Sequence, residues 1–389
     1  MSSETAQVKK LADDLTQWLT EDALPAWHAG GIAPDTGECF EVIDLETKAG
    51  APIDRRARVA PRQIYSFLEG ARLGWSGPAE DIATRLWAWL SETYRLADGT
   101  FAAAVSINNT LTDSRFDLYN QAFVLFALAQ MADKIPACAS TAETEAKSLL
   151  ETLYKTYKHP DIGFREDVPD RIPLRANPHM HLLEACMAWE AVSKDPAWSN
   201  LTDELAELAL TRLIDPVNGG LREFFDLHWA PLPGDEGRTI EPGHLFEWAW
   251  LLVRWGTSRR DADALVAARR LYDIAWTYGI DESRGAAFMA INDDFSVRDP
   301  IARLWGQTEW IKAAIALAGI SAGPEREAYV ADISLSVAAL SAYFEDVPAG
   351  LYRDKWNVDG TFEDEPAPAS SLYHIVCAIS ELNAFAKSL

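Results

Sequence analysis

Cysteine is scarce in this chain: Cys39, Cys138, Cys186 and Cys377 are the only four in 389 residues. They are widely spaced and form no CxxC pair, so no disulfide framework is implied. Cys186 and Cys377 fall in apolar helical runs and read as reduced core thiols of a cytosolic protein. Basic residues are also in deficit. The 35 Lys and Arg stand against 59 Asp and Glu, a formal net charge of -24. Such a field repels nucleic acid and anionic membranes, and neither is an expected partner. An anionic substrate would need a locally positive site. No apolar run reaches the length of a membrane span. The opening MSSETAQVKKLADDLTQWL is an amphipathic polar helix without the apolar core of a signal peptide. GxGxxG, Walker and GxSxG motifs are all missing, which leaves nucleotide binding and serine hydrolysis without support.

What is present is a sixfold repeat. Apolar helical stretches open at Arg62-Gln-Ile-Tyr, Asp117-Leu-Tyr-Asn, His179-Met-His, His244-Leu-Phe-Glu, Leu304-Trp-Gly-Gln and Leu372-Tyr-His. Successive starts lie roughly 55 to 70 residues apart, the length of a helical hairpin plus a loop. Between them run six polar amphipathic stretches, near 4–26, 79–96, 141–158, 199–213, 261–279 and 326–344. In the second, Ile82, Leu86, Trp87, Leu90 and Tyr94 share one helical face and charges fill the other. One-sided helices outside and helices apolar all round inside predict an (α/α)6 barrel of six inner and six outer helices, all-α, as one domain over 1–389. Acidic turns followed by glycine recur after the outer stretches. Examples are Asp161-Ile-Gly-Phe-Arg-Glu and Asp215-Pro-Val-Asn-Gly-Gly-Leu-Arg-Glu. They predict short β-hairpins on the face where the inner helices begin, walling a cleft with the long loops 31–57, 97–116 and 229–243.

Six helix N-termini converging on that face would favour an anionic intermediate or an anionic substrate group. His181, His244 and His374 occupy the rim, with His179 a fourth candidate on a different helix face. A histidine near a helix start is commonly a structural hydrogen bonder, but three at equivalent repeat positions favour function. His181 and Glu184 are i, i+3, as are His244 and Glu247, so each carboxylate can fix or charge its imidazole. A buried structural hydrogen bond and a metal site are the competing readings. No third carboxylate or cysteine with ligand spacing reinforces the metal, so none is expected. Arg58 and Arg62 are i, i+4, with Pro61 marking a helix start and Arg62 at the mouth. Either could bind sugar or form a plain salt bridge. Tyr119 opens the second inner helix. Asn177 opens the third as a sugar contact, an N-cap or both. Trp305 offers a stacking face, and Gln307 of the same motif is expected to bind substrate.

Taken together, RQIY, LYNQAF, NPHMHLLEA, GHLFEWAWLL, LWGQTEW and LYHIV resemble the N-acylglucosamine 2-epimerase superfamily, from about Arg58 to His374. The resemblance implies an (α/α)6 barrel and cofactor-free proton transfer at C2 of an aldose. It makes Arg62 the active-site arginine, His244 and His374 the two catalytic histidines, and Glu247 the acid supporting His244. His181 matches a third active-site histidine of the isomerase and cellobiose-epimerase branches. Tyr119 and Asn177 match sugar-contacting positions. The expected reaction is aldose–ketose isomerisation of a mannose-type hexose through an enediolate, His374 moving the C2/C1 proton and His244 opening the ring. Alternatives are 2-epimerisation of an N-acylglucosamine or cellobiose type, and isomerisation of mannose 6-phosphate, suggested by Arg58, Arg62 and Arg175. A glycoside hydrolase on the same barrel, using carboxylates among Asp117, Glu184, Glu247 and Glu309, is a further reading. A homodimer is a possible assembly, as among the related chains.

Overall fold

The computed structural model describes residues 3–389. Thirteen α-helices follow in chain order: α1 (Ser3–Gln17), α2 (Leu24–Gly31), α3 (Val59–Arg72), α4 (Ala79–Tyr94), α5 (Leu118–Lys134), α6 (Ala139–Thr152) and α7 (Ala176–Val192), then α8 (Pro196–Leu208), α9 (Pro242–Arg259), α10 (Ala262–Gly279), α11 (Leu304–Ile320), α12 (Gly323–Ser341) and α13 (Ala369–Ser388). The odd-numbered helices from α3 to α13 form the inner ring, each packed on the next, and α13 returns to α3 to close it. Outer helices α4, α6, α8, α10 and α12 each pack on the inner helix before them, while α1 packs on α13. The architecture is the expected (α/α)6 barrel. The N-terminal stretch is thus the outer partner of the last inner helix.

Residue chemistry accounts for the two rings. In α4, Ile82, Leu86 and Leu90 are buried while Glu80 and Arg85 are not. In α11, burial runs almost unbroken from Gly306 to Ile315, on every side of the helix. Asp117, Asp195 and Asp261 cap α5, α8 and α10 by accepting from backbone N–H groups of the first turn. Trp189 of α7 stacks on Trp198 of α8, centroids 5.0 Å apart. Its indole N–H donates to Leu125 O of α5, so one side chain ties an inner helix to both neighbours. No helix among the described residues is long and apolar enough to cross a membrane.

The expected short strands are present at the face where inner helices begin, in two arrangements. Some close within one turn, as Ile280–Asp281 with Ala286–Ala287. Others join neighbouring repeats: Leu174–Arg175 pairs with Phe224–Phe225, and Ala302–Arg303 with Lys355–Trp356. The second kind staples the residues just before an inner helix to the next loop, which fixes the barrel mouth. Each of the six turns carries one glycine with positive φ: Gly37, Gly99, Gly163, Gly219, Gly285 and Gly350. At Gly350 (φ 80°) a Cβ would also stand 2.3 Å from Asp22 O, so two constraints demand glycine there.

Candidate active site

A cavity of about 260 Å³ opens at this mouth. Of the sequence-predicted residues, the structure brings Arg58, Arg62, Tyr119, Asn177, His181, His244, Glu247, Trp305 and His374 to its wall. Arg56, Glu241, Met289, Arg303 and Ser370 join them. Glu184 does not line it. That carboxylate lies deeper, accepting from the Tyr373 hydroxyl and standing 3.4 Å from His181 Nδ1.

Two further expectations are corrected. Gln307 is wholly buried away from the cavity: its Oε1 accepts from Ala287 N at 2.8 Å and its amide N–H donates to Arg303 O at 3.0 Å. His179 is equally enclosed, Nε2 accepting from Phe164 N and Nδ1 facing Arg175 O at 2.9 Å. Both residues clamp a mouth turn onto an inner helix. Asn177 sits inside the first turn of α7 and is not its N-cap, leaving Oδ1 buried with no partner among the described residues.

The supporting acids are largely not the expected ones. His244 Nδ1 lies 2.8 Å from Glu223 Oε1 and 3.3 Å from Glu241 Oε2, both on the preceding loop. Glu247 instead faces His181 Nδ1 at 3.9 Å and Lys312 Nζ at 3.6 Å, with neither oxygen hydrogen-bonded to a described residue. His374 Nδ1 lies 2.8 Å from Glu309 Oε1 of α11. Sequence reasoning missed Glu223 and Lys312, and weighed Glu309 only as a hydrolase carboxylate. A signal for Glu223 existed. Three or four residues past the turn glycine, an acid recurs at Glu41, Glu166, Glu223 and Asp354, where the other two repeats have Ala103 and Met289. These acids hold cations or imidazole at the mouth: Glu41 with Arg56, Glu166 with Arg175 at 2.5 Å, Asp354 with Arg303 at 2.6 Å and Glu223 with His244.

The two catalytic candidates are held in opposite charge states. Burial alone would discharge His244, but the carboxylates of Glu223 and Glu241 outweigh it and raise its pKa to about 10. His374 goes the other way. Burial first, then the positive charges of Arg62 and Lys312, hold its imidazole well below the ordinary value. Burial also lowers His181, against the pull of Glu247. Lys312 is itself fully buried, yet the carboxylates of Glu309, Glu247 and Glu184 around it keep it protonated. With Nδ1 of His374 turned to Glu309, its neutral form carries the proton there and leaves the Nε2 lone pair for a ligand. Trp305 stands between the pair, its ring 4.9 Å from that of His244 and 6.0 Å from that of His374. Arg62 donates to Ser370 O at 2.9 Å and to the Tyr119 hydroxyl, and lies over the Phe123 ring at 4.2 Å.

Tertiary packing also supplies the third ligand that spacing lacked, giving sets of one histidine and two carboxylates. Among the described residues, three groups could present ligand atoms to a cation: His181, Glu184 and Glu247; Glu223, Glu241 and His244; and Glu247, Glu309 and His374. Each already adjoins a cation of the chain, Lys312 near the Glu247 sets and the charged His244 within the other.

Comparison with known proteins bears on this cavity. A mannose-6-phosphate isomerase of Rhizobium meliloti (strain 1021) is 47% identical over 375 residues, 95% of this chain and 96% of its own. A solved D-mannose isomerase superimposes with a TM-score of 0.86 at 19% identity, each chain covered in full. The cellobiose 2-epimerase of Spirochaeta thermophila DSM 6192 does so with a TM-score of 0.86 at 20% identity, covering 100% of this chain and 99% of that one. These two likenesses carry the barrel. The sequence profile described as N-acylglucosamine 2-epimerase (GlcNAc 2-epimerase) matches residues 39–378, nearly all of the repeat. With that profile spanning the mouth turns and the inner helices alike, the chain belongs to the N-acylglucosamine 2-epimerase family of sugar epimerases and isomerases.

Proposed function

We propose that this protein interconverts an aldose and a ketose of the mannose–fructose type by proton transfer between C2 and C1. One arrangement carries the reading: His244, backed by Glu223 and Glu241, and His374, backed by Glu309 beside Lys312, share one cavity, the first held as an acid and the second as a base. His244 donates its proton to O5 as the C1–O5 bond breaks, and takes up the proton that O1 releases as the carbonyl forms. Nε2 of His374 then removes the C2 proton. The C–H electrons form the C1=C2 bond and the carbonyl electrons move onto O1. The Arg62 guanidinium, held against Tyr119 and Ser370, is placed to stabilise that oxyanion. Return of the proton from His374 to C1, with the O2 proton passing to O1, completes the ketose. The relatives' names support the sugar class: one acts on mannose 6-phosphate, and a Thermobifida fusca relative, 29% identical over 255 residues, is a D-mannose isomerase.

Proton NMR of the purified protein with D-mannose and with D-mannose 6-phosphate in D2O tests the reading. The expected product is a ketose carrying deuterium at C1. A C2-deuterated glucose product with no ketose would make the enzyme a 2-epimerase instead.

A further inference from the structure

Arg58 occupies the N-cap position of α3 at the barrel mouth, half-buried, with its Nε enclosed and hydrogen-bonded to no described residue. Its guanidinium forms no ion pair with a described carboxylate, and its close neighbour is the Tyr119 ring at 4.9 Å. That isolation sets it apart at this mouth, where Arg56, Arg175 and Arg303 all hold carboxylates and Arg62, which holds none, donates to Ser370 O and the Tyr119 hydroxyl.

Arg58 also forms the shared wall between the sugar cavity and a second cavity of about 200 Å³. That side cavity is lined by Arg58, Asp113, Arg115, Asp117, Arg171 and Arg175, with Ala103 and Phe116. Its other arginines are neutralised: Arg115 by Asp113 at 2.6 Å, Arg171 by Asp167 at 3.6 Å, and Arg175 by Glu166 at 2.5 Å and Asp117 at 2.8 Å. Asp117 is occupied besides in capping α5. The turn position that holds an acid in four of the six repeats is Ala103 here, beside Arg58. A half-buried cation in a chain of net charge -24 thus shares this cavity with a turn that has lost its acid. A buried charge lacking a counter-charge is unfavourable, and a bound anion would relieve it.

Position selects the kind of anion. Arg62 lies at the reacting end of the cavity, and Arg58 is four residues nearer the mouth. Four residues of helix rise about 6 Å, comparable with the distance from C1 to a substituent on C6 of an open hexose. We infer that Arg58 anchors a phosphate on the far end of the sugar, so that the substrate is a hexose monophosphate. The inference rests on the isomerase reading above and adds the residue that selects the substrate.

The test compares kcat/KM for mannose 6-phosphate and mannose in the native enzyme, Arg58→Ala and Arg58→Lys. The native enzyme is expected to prefer the phosphate ester. Arg58→Ala should reduce that preference about 10- to 100-fold, mainly through KM for the ester, and Arg58→Lys should restore part of it. A native preference for unphosphorylated mannose, or an equal loss on both sugars in Arg58→Ala, overturns the inference while leaving the isomerase reading intact. If neither sugar gives ketose, the isomerase reading fails, and calorimetric titration with inorganic phosphate then decides the anion site alone. Binding weakened by Arg58→Ala supports it; equal binding, or none to the native chain, overturns it.

Discussion

The Lys312 ammonium lies 2.5 Å from Glu309 Oε2, with both side chains wholly buried beneath the cavity. The other oxygen of that carboxylate is 2.8 Å from Nδ1 of His374. A carboxylate already paired with an ammonium attracts a charge on the imidazole less strongly, and Lys312 repels that charge directly. Both effects keep His374 a neutral base. Lys312→Met should therefore raise the pKa of His374 and move the acid limb of the kcat/KM profile to higher pH, since the base works only when unprotonated. The same change strands buried carboxylates, at a cost of about 3–5 kcal/mol in stability. A variant that melts lower but keeps its acid limb in place would assign Lys312 to packing alone.

His244 gives the opposite limb. Its charged form is held by Glu223 and Glu241 against burial, up to about pH 10. Glu223→Gln removes the nearer carboxylate, so the alkaline limb of kcat/KM should move to lower pH. Glu247→Gln should move it less, because Glu247 adjoins His181 and Lys312. Equal shifts in the two variants would return the supporting role to Glu247.

The same group links stability to pH. A folded pKa raised from 6.5 to about 10 adds stability that is fully present below 6.5 and lost as pH rises through 10. Over that window the melting temperature of the native protein should fall more steeply than that of Glu223→Gln. Parallel curves would show that His244 is not charged in the folded state.

These relationships mark where sequence pattern stops being informative. The two rings of helices follow from local periodicity, and so did the rim positions of His181, His244 and His374. The His181–Glu184 pair was legible because both residues lie on α7, one turn apart. Glu309 reaches His374 from α11, and Glu223 reaches His244 from a loop, 65 and 21 positions away along the chain. Spacing within a helix carries no trace of either. It pointed to Glu247 for His244 because that pair is i, i+3, whereas the helix turns Glu247 toward α7 and α11. The repeated acid after the turn glycine was visible, but what each carboxylate holds is decided by the closure of the ring.

His374 bears the chemical step in this mechanism. His374→Gln keeps a polar side chain in place but cannot accept the C2 proton. Its kcat should fall about 100- to 10,000-fold, the usual span for loss of a general base. Exchange of the C2 hydrogen with D2O should fall in parallel. Exchange at the native rate would place the base elsewhere, with His181 the nearest candidate.

Gln307 separates structural from substrate-contacting roles within one motif. Trp305, two residues before it, lines the cavity, while the Gln307 amide bridges Ala287 and Arg303. Gln121 makes the same kind of bridge in another repeat, accepting from Phe101 N at 3.0 Å and donating to Phe101 O at 2.9 Å. His179 does so on α7 through Phe164 and Arg175. All three sit in the first turn of an inner helix and pin the preceding mouth turn. Gln307→Leu leaves the buried Ala287 N–H and C=O without their side-chain partner, which should lower stability by about 1–3 kcal/mol. Turnover per folded molecule and KM should stay within about twofold of the native values, well below the 1.4 kcal/mol that a tenfold change would represent. A KM raised tenfold with an unchanged melting temperature would instead put Gln307 in contact with the sugar.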